Sequence, residues 1–314
     1  MKVIRNLLRA IMPYGLIALR RKLKKDVGVT NEMSPTLEPP PPNCVPENLI
    51  NEYTLNGKMS ILYHYFDDRK FGEKRVHNTK DTYDKVFREL QEGTFSWYGK
   101  DWKYVLQAFD AYPIKGKNVL IWGLASCNCD AMAIYKGAKK VYVVDYNKPI
   151  CDNEKIEVMN HEELRQKMPL VDFEISYSSF EHDGLGRYGD PLSPNGDFRA
   201  MEEAGKFLTD NGILILGVPL GKDCIVWNAH RIYGKYRLPL LLKGWQLEDA
   251  FFDNILCQDR GGVFNKKLGI YTQIPLVLKK INTDFPDDEF LLRKNENQIV
   301  CEINKMIYEA KKGF

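Results

Sequence analysis

Apolar positions come in short unbroken runs, separated by stretches of helical period. The sharpest case spans Lys117 to Asn147. Val119, Leu120, Ile121 and Trp122 form a run of the kind carried by strands buried on both faces of a parallel sheet. Gly123 ends it, and Ala125, Ser126 and Cys127 keep the next turn small. A helix is predicted from about Asn128 to Gly137, with Ala131, Ile134 and Tyr135 at helical spacing. Val141, Val143 and Val144 predict a second buried strand, closed by Asp145. Strand, tight turn, helix and strand make a βαβ unit. Asp145 lies 22 positions after Gly123, close to the separation of about 20 at which an acidic residue meets a ribose hydroxyl in nucleotide-binding units.

The rest of the chain extends this pattern. Lys155 to Met159 predicts a third strand, His161 to Lys167 a short helix, and Asp172 to Ser176 a fourth strand. The segment 178–197 follows, with Gly184, Gly186, Gly189, Pro191, Pro194 and Gly196 as breakers. Glu181, His182, Asp183, Arg187, Asp190 and Asp197 stand among them. Polar residues this dense after a buried strand belong at the crevice beyond the strand ends. Phe198 to Leu208 predicts a helix, Asn211-Gly212 a turn, and Ile213 to Val218 a fifth strand closed by Pro219. A second polar segment, 221–234, brings Asn228, His230, Arg231 and Tyr233 past that strand's end. Trp245 to Phe252 and Ile270 to Ile281 predict the last strands. The fold expected is α/β: an open, doubly wound, mostly parallel Rossmann-like sheet over 117–285. Residues 47–116 are expected to be a helical lead-in with helices over Thr82 to Leu90 and Asp101 to Phe109, and 286–314 a helical tail.

Charge changes the picture at the N-terminus. The chain of 314 residues carries a net charge of +3. Residues 1–25 hold eight lysines and arginines and no acid, so the remainder carries 3 − 8 = −5. A mildly acidic body argues against nucleic acid as a partner. Within the basic segment 1–33, Ile4, Leu7, Leu8 and Ile11 fall at amphipathic spacing. Two readings stay open: a helix lying on an anionic membrane face, or one packed on the protein or a partner subunit. Residues 34–46 carry six prolines, four of them consecutive (Pro39 to Pro42), and predict a stiff spacer or surface-hugging strap. No stretch reaches the roughly 18 apolar residues of a spanning helix. The seven cysteines include no Cys-x-x-Cys. They read as reduced and packed, hence a cytoplasmic chain, peripheral at most on a membrane's inner face.

Two motif sets carry a resemblance. The βαβ unit ending in Asp145, the strand followed by Phe180-Glu181-His182, and the segment Leu208 to Pro219 resemble class I S-adenosylmethionine-dependent methyltransferases. The segments EHDGLGRYGDPLSPNGD and WNAHRIYG are similar to an uncharacterised family of nematodes and bacteria, whose bacterial members often accompany surface-polysaccharide genes. The resemblance covers about residues 45–280. One departure stands out: Trp122 replaces the acid of the methyltransferase turn, and Gly123, Ala125 and Cys127 stand where three glycines would.

The resemblance implies S-adenosylmethionine bound by Gly123, Leu124, Ala125, Ser126, Asp145, Tyr146 and Ser178, with Asp145 on the ribose. It implies methyl transfer to a hydroxyl of a sugar or cell-envelope precursor. One acceptor pocket is expected to contain Glu181, His182, Arg187, Asp190, Asn228, His230 and Arg231. His182 is the candidate base, and Arg187 and Arg231 would hold an anionic or polyhydroxyl acceptor through forked hydrogen bonds. Two alternatives remain. One is a nucleotide-sugar or dinucleotide enzyme, against which the turn lacks G-x-G-x-x-G. The other is a non-catalytic Rossmann-fold binding protein at the membrane. No metal is expected, because no spacing brings His182, Asp183, Asp190 and His230 together as ligands. The oligomeric state is left open.

Overall fold

Among the described residues, two strands and three α-helices precede the first long apolar run. They are α1 (Ile50–Tyr53), β1 (Ser60–Tyr63), β2 (His77–Asn78), α2 (Lys80–Gln91) and α3 (Asp101–Ala111). The structure, a computed structural model, describes residues 40–69, 75–97, 101–251 and 271–281. The basic segment 1–33, the start of the proline stretch and the expected tail over 286–314 lie outside the described residues.

From residue 118 the elements alternate. They run β3 (Asn118–Trp122), α4 (Cys129–Tyr135), β4 (Lys140–Val144), β5 (Ile150–Cys151), β6 (Ile156–Met159), α5 (His161–Lys167), β7 (Val171–Tyr177), α6 (Gly196–Ala204) and β8 (Leu208–Gly217). After them come β9 (Pro219–Gly221), β10 (Cys224–Trp227), β11 (His230–Ile232), α7 (Arg237–Leu241), β12 (Trp245–Ala250), β13 (Tyr271–Gln273) and β14 (Leu276–Lys280). Seven strands form one sheet in the order β12-β14-β8-β7-β3-β4-β6. Pairing is parallel from β8 to β6, while β14 runs antiparallel to both β8 and β12. This is an open, doubly wound, mostly parallel Rossmann-like sheet.

Alternation along the strands supplies both faces. Val119, Ile121, Val141 and Val143 pack under α2, α3 and α4, with Tyr83, Trp102, Phe109 and Met132. Leu120, Trp122, Val144, Leu214 and Leu216 pack on the other side with Met201, Phe207 and Leu241. Trp122, which stands where an acid was expected, donates its indole N–H to Glu174 Oε2 on β7 at 2.7 Å. Glu174 is fully buried, and burial pushes its carboxyl well above the usual range.

Four expectations need correction. The lead-in is not simply helical: β1 pairs parallel with β10, and β10 pairs antiparallel with β11, making a side sheet at the strand ends. The segment 221–234 is therefore largely strand, in fully buried runs of four and three residues too short to stand out among its polar residues. The helix α6 stops at Ala204, where Gly205 serves as its C-cap, rather than at Leu208. The Asn211-Gly212 turn lies within β8, where pairing jumps from Val171↔Leu208 to Phe173↔Ile213. The described end of the proline stretch behaves as a strap: Trp227 Nε1 donates to Pro42 O at 2.9 Å, and Tyr65 OH to Pro41 O at 3.0 Å.

Candidate functional site

The strand order reverses direction at β3 and β7, and the turns leaving these strands open a cleft of about 280 Å³. Its first wall comes from the βαβ unit. Gly123 takes φ +76°, and a Cβ there would stand 2.6 Å from Ser179 Oγ. The turn after β3 thus lies directly against the turn after β7. Asp145 Oδ2 accepts from Leu124 N at 2.8 Å and its Oδ1 from Asn147 N at 2.7 Å. Burial pushes this carboxyl up, and the two amides partly offset it. Ser178 closes β7 with a left-handed backbone at φ +59°, a strained position for a non-glycine residue. All seven residues expected at the cofactor line this cleft: Gly123, Leu124, Ala125, Ser126, Asp145, Tyr146 and Ser178.

The N-terminus of α4 is already occupied by the chain itself. Asp130 Oδ1 accepts from Asn128 N at 2.7 Å, and its Oδ2 accepts from Tyr83 OH at 2.6 Å. Asp130 is fully buried, and burial raises its pKa. In a dinucleotide site a pyrophosphate would sit at such an N-terminus.

The second wall follows β7. A 3-10 turn over Phe180–His182 brings His182 to the cleft. Its Nδ1 lies 2.6 Å from Ala229 O. A carbonyl only accepts, so Nδ1 carries the proton and Nε2 is left with its lone pair. Burial, Arg187 and His230 hold the imidazole pKa well below its usual value, so the ring is neutral. Arg187 lines the cleft and donates through Nε to Asp68 Oδ2 at 2.6 Å, with its guanidinium 4.3 Å from the Phe66 ring centroid. Asp190 also lines the cleft, but its carboxylate organises the glycine-rich loop, accepting from Gly184 N, Gly186 N and Tyr188 N.

Four of the seven expected acceptor residues stand behind this wall. Asn228 clips the lead-in, accepting from Phe66 N and donating to Phe66 O. Arg231 is fully buried and donates to the carbonyls of Glu181, Asp183, Ser193 and Pro194. It pins the loop and is not free to hold an acceptor. His230 sits edge-on to His182 with ring centroids 6.4 Å apart, behind it rather than on the cleft. Glu181 is buried beside His182. The structure adds cleft residues that sequence reasoning did not single out, namely Phe66, Asp68, His161 and Tyr188. The first two come from the lead-in, more than a hundred positions before the loop they meet. No group of three or more His, Cys, Asp or Glu side chains suited to a metal ion occurs among the described residues.

Sheet order and cleft together define a Rossmann-like α/β protein with a crevice at the switch point of its parallel sheet. The chain belongs to the family described as Caenorhabditis protein of unknown function, DUF268, whose profile matches residues 116–281. No curated protein matches the sequence. Among solved structures, it is similar to 1,6-didemethyltoxoflavin-N1-methyltransferase of Burkholderia thailandensis, crystallised with S-adenosylhomocysteine. The two are 13% identical with a TM-score of 0.43, over 64% of this chain and 87% of that one. It is also similar to a ribosomal protein L11 methylase of Lactobacillus delbrueckii subsp. bulgaricus, at 12% identity and TM-score 0.35, over 58% and 79% of the two chains. An arsenic(III) S-adenosylmethionine methyltransferase of Chlamydomonas reinhardtii is 15% identical with a TM-score of 0.36, over 55% and 67%.

Proposed function

We propose that this protein is an S-adenosylmethionine-dependent methyltransferase whose acceptor is an uncharged hydroxyl of a sugar or related envelope precursor. The observation that carries the reading is the neutral His182, whose Nε2 is buried without a hydrogen-bond partner and whose side chain lines the same cleft as the Gly123 turn and Asp145.

The residues present fit the cofactor. A carboxylate offers about four lone-pair positions; Asp145 spends two on Leu124 and Asn147, which leaves two for ribose hydroxyls. Gly123 keeps the turn open at its closest point. Tyr146, half exposed, stacks obliquely on His161 at 4.6 Å and offers an aromatic surface at the same wall. The cofactor, when bound, supplies an electrophilic methyl carbon with a good leaving group, so the chain's task is chiefly alignment. His182 takes the acceptor proton at Nε2 while Ala229 O holds the ring in the required tautomer. Arg187 is already paired with Asp68, and Asp190 and Asp145 add negative charge. A phosphate or carboxylate would be repelled there, whereas a polyol finds acceptors in the carboxylates and a donor in Arg187. The buried Asp130 at the N-terminus of α4 speaks against a dinucleotide.

Calorimetry tests the reading. S-adenosylhomocysteine should bind and NAD should not; absence of S-adenosylhomocysteine binding at millimolar concentration would sink the assignment. The N-terminal +8 charge supports attachment to an anionic membrane as the place of action.

A further inference from the structure

Glu181 and His182 are neighbours in the chain and in space. Glu181 Oε1 lies 3.6 Å from His182 Nε2, and both residues are buried. That separation is too long for a hydrogen bond and too short to hold a water in line between them. Neither Glu181 oxygen nor His182 Nε2 has a hydrogen-bond partner of good geometry. Orphaned buried polar atoms are costly, and a carboxyl with only a structural task is normally satisfied. Asp190, nine positions further on, shows that pattern, with amides on both oxygens. Glu181 does not.

We propose that Glu181 is a positioning residue that receives, at Oε1, the proton His182 takes from the acceptor. The inference rests on the reading of His182 as the base. The acceptor O–H bond breaks and its proton goes to Nε2. The oxygen's electron pair forms the bond to the methyl carbon, while the pair of the breaking C–S bond stays on sulfur. The proton then crosses from Nε2 to Glu181 Oε1, leaving a neutral imidazole and a neutral carboxyl.

The surroundings favour this direction. An imidazolium at His182 is opposed by burial and by Arg187, His230 and Arg231. A proton on Glu181 is not: burial raises that carboxyl to about 7, with Ser178, local amides and Arg187 only partly offsetting it. Asp183, Tyr188 and Tyr233 also face Glu181, and their negative forms would hold its proton more firmly. A proton acceptor that titrates near the working pH is the efficient one.

The experiment follows the histidine ¹⁵N and glutamate ¹³Cδ signals of the full chain against pH, without cofactor or acceptor. In the parent protein, one proton should enter the pair with a midpoint near pH 7, seen at both Glu181 and His182 Nε2. In Glu181→Gln, the His182 response near pH 7 should vanish while Nδ1 stays protonated. In His182→Gln, the Glu181 midpoint should move. Unchanged His182 titration in the first variant, or an unmoved Glu181 midpoint in the second, overturns the coupling. Thermal unfolding shows which variant is folded, and either one suffices. The titration needs no ligand, so failure of S-adenosylhomocysteine to bind would count against the methyltransferase reading and leave the proton sharing to be judged separately.

Discussion

Replacing Gly123 with alanine gives a sharp test of the cleft geometry. The residue sits at φ +76°, and the added Cβ would meet Ser179 Oγ at 2.6 Å and Ser179 Cβ at 3.1 Å. The left-handed backbone alone costs an alanine about 1–2 kcal/mol. Pushing Ser179 off its rotamer adds about 0.5–1.5 kcal/mol. Gly116 separates the two contributions, since it holds φ +75° with nothing within 4 Å of the added Cβ. Gly116→Ala should therefore cost only the backbone part, and Gly123→Ala the sum, about 1.5–3.5 kcal/mol. Urea unfolding of the two variants side by side is the assay. Gly123→Ala should in addition weaken S-adenosylhomocysteine binding, whereas Gly116→Ala should leave it unchanged. Equal destabilisation by the two substitutions would show that the turns after β3 and β7 do not meet as described.

Asp145→Ala should weaken S-adenosylhomocysteine more than tenfold in calorimetry, the loss of a charge-assisted hydrogen bond of about 1.5–3 kcal/mol. Arg237→Ala should destabilise the fold by up to about 3–5 kcal/mol in urea, because it takes two hydrogen bonds, at 2.9 and 2.7 Å, from the fully buried Asp197 and leaves it Tyr233 OH and the more distant Arg231. Glu174→Gln should raise stability at pH 7. A carboxyl raised by burial stabilises the fold below its unfolded pKa, and that stability is lost as pH rises toward the folded one. The gain over the parent should thus fade by about pH 4, and a pH-independent difference would contradict it. Deleting residues 1–25 should abolish flotation with anionic vesicles at low salt; equal flotation of both proteins would favour packing over membrane attachment.

The βαβ unit was legible because its signals are local. Buried strands leave unbroken apolar runs, and the distance from Gly123 to Asp145 is fixed by one crossover helix. Six of the seven residues expected at the cofactor belong to that unit and line one cleft, and the seventh, Ser178, joins them from the end of β7. The acceptor side was legible only in part. Residue type announced Arg231 as a ligand, but direction is set by the β10–β11 hairpin, which turns it onto four loop carbonyls. Phe66 and Asp68 carried no signal at all. They reach the cleft because β1 pairs with a strand more than 150 positions later, and a lone strand of four residues does not announce its partner.

That pairing bears on where this protein can be cut. The family profile begins at residue 116, yet β1 supplies the parallel neighbour of β10 from outside it. A fragment starting at 116 would carry β10 as an open edge, its row of N–H and C=O groups offered to any strand that meets it. It would also expose Trp227, which is fully buried under Pro42 and Tyr53 in the longer chain. A fragment that keeps β10 paired and Trp227 covered must therefore start well before residue 116, and the residues it adds include Phe66 and Asp68 of the cleft.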